Sequence, residues 1–338
     1  MEKLNTESKR ALITGVAGQD GTILSQALIK DGYSVTGLIK PGTGADTLLR
    51  YAPEVRIFEV ELSDQDHVEK TVVDLNPHEI YNFGGISSIV ESVNNPEMTH
   101  GVNVGSAQAI VRGMTTLQGK SYTPKLVAAA SGTIFEGVDK APQTEDTVPE
   151  PKSPYAQSKA EVISLLKSAR ETQSLFTTAA ILYNHESPLR GEGFVTRKIT
   201  MAVAKISLGQ QEVLELGDIE VARDWGWAPD YVNCMRLMLG ASIPSNFILA
   251  TGISHRLSFF VQRAFAAVGI TNWQDYVVST SDNLRKVDTN LLVGDSRKAY
   301  IELGWRHTVD FDRIAAKMVQ YDLELLKDPN SLWHDPAA

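Results

Sequence analysis

Three stretches carry side chains whose types and spacing suit chemistry. In SPYAQSKAEVISLL, Tyr155 and Lys159 stand four residues apart, which places both on one face of a helix. A lysine ammonium close to a phenol stabilises phenolate, so that tyrosine could take a hydroxyl proton while hydride leaves the same carbon for a nicotinamide. Upstream, AAASGTIFEG offers the hydroxyls of Ser131 and Thr133, and no carboxylate before Glu136. Near the N-terminus, ALITGVAGQDGTILSQAL sets Gly15, Gly18 and Gly21 around Gln19 and Asp20. A glycine loop between a strand and a helix lets backbone approach a pyrophosphate, with the helix N-terminus facing the charge. Each motif alone also arises in ordinary turns and helices, and their value lies in their order along one chain.

That order has to be built by a regular alternation of elements. RALITG, YSVTGLI, VRIFEV, EIYNFG, KLVAAA and FTTAAILYN read as six strands. Helix-like segments such as GTILSQALIKDG and DQDHVEKTVVDLN lie between them. Short apolar strands alternating with helices predict an α/β fold: a Rossmann-type, doubly wound parallel sheet covered on both faces. After Asn184 the pattern loosens into loops, the amphipathic VTRKITMAVAKISLG, the strand NFILATG and a closing helix DFDRIAAKMVQYDLELL. The expectation is a mainly nucleotide-binding domain over 1–184 and a smaller, partly interleaved α/β substrate-binding region over 185–338. Ligands of such folds lie beyond the carboxyl ends of the strands.

Composition narrows the function classes. A chain of 338 residues is long enough for this arrangement, and 43% hydrophobic with 22% charged residues is ordinary for a globular enzyme. A formal charge of −9 speaks against nucleic acid as the partner. The single cysteine, Cys234, excludes an internal disulfide and a cysteine-cluster metal site. It reads as a small packed residue in a reducing compartment. No apolar run spans a membrane and Met1–Arg10 is polar, so a cytoplasmic location is expected.

The end of the second strand bears on which dinucleotide is used. An acidic residue there suits the ribose 2′-hydroxyl of NAD, and a cation suits the 2′-phosphate of NADP. The strand ends in Leu38-Ile39-Lys40, which favours NADP with NAD possible. Glu61 and Leu62, in VELSD after the third strand, are placed towards the adenine rim.

With Gly-x-x-Gly-x-x-Gly and Tyr-x-x-x-Lys in place, the chain resembles the extended short-chain dehydrogenases/reductases, and most closely the GDP-mannose 4,6-dehydratase family. The stretches that carry the resemblance are ITGVAGQDG, EIYNFGG, SPYAQSK, NHESPLRGEGFVTRKI, LGD followed by ARDWG, ATG, GDSRKA and LGW. They run from about Arg10 to Leu325. The resemblance implies a nucleotide-diphosphate sugar as substrate and a homodimer or homotetramer as assembly. It implies substrate contacts from Ser131, Asn184, Arg190, Val195, Lys198, Arg223, Arg285 and Asp288, with cofactor contacts extended to Tyr155 and Lys159. Charge-assisted arginine contacts suit a diphosphate in an otherwise acidic protein. Where the family reads Arg-Arg-Ser-Ser, this chain has Lys40-Pro41-Gly42-Thr43, and the family's Glu corresponds to Asp288.

The largest departure lies in the loop before Tyr155. Counting back without gaps, Ser131 falls on the family's Thr and Thr133 on its catalytic Glu. In the family that carboxylate takes the C5 proton of the 4-keto sugar and protonates the departing 6-hydroxyl. A neutral hydroxyl is a poor base, and loss of a positioned base costs about 10²–10⁴-fold. The Ser-x-Thr-x-aromatic pattern instead resembles the loop of sugar-nucleotide 4-epimerases. The catalytic set is therefore Ser131, Thr133, Tyr155 and Lys159, with no metal. The reading favoured is hydride transfer at sugar C4, serving 4-epimerisation or 4-keto reduction. A 4,6-dehydratase with a relocated base and a non-catalytic NADP-binding regulator are the alternatives.

Overall fold

The computed structural model describes residues 8–120, 122–279 and 291–334. The chain forms two compact units. The first comprises Met1–Ile134, Pro151–Ile181 and Met235–Phe247, and the second Phe135–Glu150, Leu182–Cys234 and Ile248–Ala338.

The first unit is organised by a seven-stranded sheet. Its strands are β1 (Arg10–Thr14), β2 (Ser34–Ile39), β3 (Arg56–Glu59), β4 (Glu79–Asn82), β5 (Lys125–Ser131), β6 (Phe176–Leu182) and β10 (Phe247–Leu249). They lie in the order β10-β6-β5-β4-β1-β2-β3. β1 pairs in parallel with both β2 and β4, β2 with β3, and β4 with β5. Ala11 to Thr14 are buried along β1, and Val35 to Ile39 along β2, as a sheet covered on both faces requires. All six strands expected from the first half of the sequence are present. The strand expected within NFILATG is present as β10 at the edge of this sheet, beside β6. Its three residues are all buried, so its backbone groups need ladder partners, and Leu249 O accepts from Tyr183 N at 3.0 Å.

The strand order reverses at β1, which has β2 on one side and β4 on the other. Such a switch point opens a crevice at the carboxyl ends of the two strands, because their crossover connections leave on opposite faces. The glycine loop after β1 and the NFGG segment after β4 both begin there.

The second unit carries β7 (Asn184–Glu186), β8 (Leu214–Leu216), β9 (Ala222–Trp227), β11 (Ser254–Arg256) and β12 (Val277–Ser279). β9 lies between β7, which it pairs in parallel, and β11, which it pairs antiparallel; β8 pairs with β12. Its core gathers Ile199, Val203, Trp225, Phe260, Ile314 and Met318. The helix Val195–Ser207 is joined to the helix Phe311–Lys327 by a buried ion pair, Arg197 with Asp322. Among the described residues, no helix is long and apolar enough to cross a membrane.

Candidate active site

The glycine loop is shaped by steric need. Gly15 has φ +66°, and a Cβ there would lie 2.8 Å from the Gly84 backbone. A Cβ on Gly21 would lie 2.5 Å from Val16 O and 2.6 Å from Val16 Cα. Both positions therefore exclude any side chain. The helix Gln19–Lys30 starts at Gly18 with no side-chain cap, which leaves its first N–H groups directed at the crevice. The Gln19 side chain is buried and donates to Asp20 Oδ1 at 3.1 Å. This cradle fits a dinucleotide pyrophosphate. Lys40 is exposed at the end of β2, where Thr43 N donates to Lys40 O at 3.0 Å and closes a turn over Pro41-Gly42. Glu61 and Leu62 are half-buried just beyond β3.

Tyr155 and Lys159 lie on the helix Pro154–Gln173. Ser153 caps it by accepting from Ala156 N at 3.2 Å, and Pro154 occupies the first turn, where its missing N–H costs nothing. The Lys159 ammonium lies 5.7 Å from the Tyr155 ring centroid and donates to Ala129 O at 2.8 Å. Ala129 and Ser131 are two residues apart on β5, hence on one face of it. Burial pushes the Lys159 ammonium down to about 8, because a charge taken from water favours its neutral form. Beyond β5, Thr133 Oγ1 donates to Ser131 Oγ at 3.0 Å and Thr133 N donates to the same atom at 3.3 Å. The first unit thus brings together Ser131, Thr133, Tyr155, Lys159 and the glycine loop.

Two features here escaped the sequence reading. Asn103 sits in a π-helical turn, Gly101–Gly105, a distortion that recurs at functional sites. It is buried, accepts from Ile86 N at 2.8 Å, and donates to Ile86 O at 3.1 Å and to Ser158 Oγ at 2.9 Å. Ser158 Oγ in turn donates to Tyr155 O at 2.7 Å. Asn103 therefore ties the loop after β4 to the tyrosine helix. Gly85 is the second feature: a Cβ there would lie 2.6 Å from Asn103 Oδ1 and 4.0 Å from the Lys159 ammonium. The glycine pair in EIYNFGG was the available signal for Gly85, whereas a single asparagine in a helical pattern carries none.

In the second unit, Asn184 is exposed on β7 and Arg223 is half-buried on the neighbouring β9, donating to Ala222 O at 2.7 Å. The adjacent Asp224 is buried and accepts from Thr251 N at 2.8 Å, Thr251 Oγ1 at 2.6 Å and Gly252 N at 2.9 Å. Arg190 pairs with Glu186 at 3.3 Å, and its guanidinium lies 3.6 Å from the centroid of the Phe194 ring. Glu186 also accepts from Thr196 Oγ1 at 2.6 Å. Val195 and Lys198 are exposed on the helix that follows. Arg285 and Asp288 lie outside the described residues. Among the described residues no cluster of His, Cys, Asp and Glu is placed to hold a metal ion.

A glycine-cradled switch point beside a buried lysine and its helical tyrosine defines a short-chain dehydrogenase/reductase. The comparisons with known proteins agree. UDP-glucose 4-epimerase from Thermotoga maritima superposes with a TM-score of 0.83 at 22% identity, over 94% of this chain and 99% of that one. A dTDP-glucose 4,6-dehydratase from Streptomyces venezuelae superposes at 0.80 with 20% identity, over 95% and 100%. The GDP-mannose 4,6 dehydratase family profile matches residues 12–318. A GDP-mannose 4,6-dehydratase of Sinorhizobium fredii is 35% identical over 95% of this chain and 99% of its own. Its counterpart named dehydratase 2 in Arabidopsis thaliana is 37% identical over 94% and 88%. The chain belongs to the GDP-mannose 4,6-dehydratase family and is a nucleotide-sugar-modifying enzyme.

Proposed function

We propose that this enzyme carries out hydride transfer at C4 of a nucleotide-diphosphate hexose without the elimination step: the net reaction is 4-epimerisation or 4-keto reduction, with a GDP-hexose as the substrate class. The observation that carries this is the Thr133 hydroxyl, which donates to Ser131; by ungapped count from Tyr155 this is the residue that falls on the family's carboxylate. A hydroxyl so placed cannot serve as the C5 base, whereas C4 redox chemistry needs none there.

NADP, when bound, supplies the hydride acceptor or donor for C4. Gly15, Gly18, Gln19, Asp20 and Gly21 would receive its pyrophosphate, Lys40 its 2′-phosphate, and Glu61 and Leu62 its adenosine side; NAD fits the same cradle. Tyr155 takes the C4 hydroxyl proton in the oxidative direction and returns it in the reductive one. Lys159 holds positive charge near the phenol, which stabilises its anionic form. Ser131 donates to the C4 oxygen. In the second unit, Arg190, Lys198 and Arg223 are proposed to hold the diphosphate, with Asn184 and Val195 beside the sugar nucleotide, and Arg285 and Asp288 to bind its ribose. The working form is proposed as a cytoplasmic homodimer or homotetramer.

The names of the relatives favour a second reading, GDP-mannose 4,6-dehydration. It requires a base from elsewhere, such as Glu136 brought round by a shifted loop. Incubation with NADP and GDP-mannose, and separately with NADPH and a GDP-4-keto sugar, followed by mass spectrometry, separates the readings. An isomer of unchanged mass or a reduced keto sugar supports C4 redox alone; loss of water supports dehydration. Absence of turnover with any sugar nucleotide would favour a regulatory homologue.

A further inference from the structure

Ser131 Oγ has one proton to give and two acceptor positions. Thr133 supplies a donor to each: its own hydroxyl at 3.0 Å and its backbone N–H at 3.3 Å. Both come from the one-turn 3₁₀ segment Gly132–Phe135 that follows β5: the turn places the N–H, and the Thr133 rotamer places the hydroxyl. With its acceptor positions filled, the serine hydroxyl has one role left, which is to donate. A hydroxyl that already accepts is also a stronger donor, since each bond polarises the next.

We propose that Thr133 is a positioning residue that holds Ser131 as a permanent hydrogen-bond donor towards the C4 oxygen of the sugar. This rests on the C4 redox reading above and deepens it. A serine free to rotate could accept from the C4 hydroxyl as readily as donate to the C4 ketone. One held as a donor favours the ketone and the partial negative charge that grows on that oxygen as hydride moves, in the manner of an oxyanion-hole donor. Thr133 thereby acts through Ser131. The position that would otherwise carry an elimination base is committed to steering its neighbour.

The test is a double-mutant cycle on Ser131→Ala and Thr133→Val, with Thr133→Ser as the conservative variant. The C4 hydride step is followed by nicotinamide absorbance in rapid mixing, with GDP-mannose and NADP or with GDP-4-keto-6-deoxymannose and NADPH. Thr133→Val should slow that step roughly 2- to 12-fold, the range given by one hydrogen bond of ordinary net worth, with little change in KM. Thr133→Ser should restore it to within about twofold, and Thr133→Val should have no further effect in the Ser131→Ala background. Equal loss in both backgrounds, or no rescue by serine, would overturn the proposal. The same cycle read by urea unfolding, which needs no substrate, should show coupling between the two side chains. If neither sugar turns over, the C4 reading fails, while absence of coupling in the unfolding cycle sinks the Thr133 assignment by itself.

Discussion

Replacing Lys159 by methionine keeps the length of the side chain and removes its charge and its hydrogen bond to Ala129 O. Lys159 as a whole is only 9% exposed, and burial lowers its pKa to about 8. An unfolded lysine titrates near 10.4. Below about pH 8 the lysine is charged in both states, so the full cost of burying it opposes folding. Between about pH 8 and 10.4 the folded state gives up the proton while the unfolded state still holds it, and stability rises with pH over that window. From about pH 7 to about pH 10 the wild type should gain about 2.5 kcal/mol relative to Lys159→Met. Desolvation raises the buried Tyr183, Tyr231 and Cys234 out of this range in the folded state, so they contribute here only through the unfolded chain. They are common to both proteins and cancel in the difference, while loss of the Ala129 hydrogen bond adds an offset that does not change with pH. Urea unfolding of both proteins without nucleotide, at several pH values across the window, measures the quantity. A difference that stays flat would mean that Lys159 is hydrated, and one that falls with pH would mean that an anion already holds it charged; either refutes the burial argument.

Three further outcomes follow from the same geometry. Tyr155→Phe should abolish turnover of any sugar nucleotide while leaving dinucleotide binding, measured by fluorescence titration, within a few-fold of wild type. Gly21→Ala should lose dinucleotide binding or fail to fold, since its methyl meets the Val16 backbone at 2.5–2.7 Å; ordinary affinity in a folded variant would contradict the close approach. Thr133→Glu should yield some water-loss product by mass spectrometry, if position 133 corresponds, as the ungapped count has it, to the family's elimination base.

The sheet was legible because its strands are short, apolar and regularly spaced, and parallel strands covered on both faces show just that pattern. The sheet edge that β10 joins left no signal, because a three-residue strand says nothing about its neighbour. The glycine loop and the Tyr155–Lys159 pair were visible because sterics and helical spacing each leave a local signature. Asn103 left none: its role comes from bonds to Ile86 and Ser158, far away in the chain. The engagement of Arg190 by Glu186 and Phe194 was equally hidden. Sequence can count a cation, but only the fold shows which anion and ring already hold it. The Ser131–Thr133 contact is intermediate, since the residues stand out by type while the direction of their hydrogen bond is set by the fold.

The central claim is that C4 redox proceeds here without elimination, and the mass of the product tests it most directly. With NADP and GDP-mannose, or with NADPH and a GDP-4-keto sugar, the expected product is an isomer of unchanged mass or a reduced keto sugar. A GDP-sugar lighter by one water, formed from GDP-mannose by the wild-type enzyme, would contradict it.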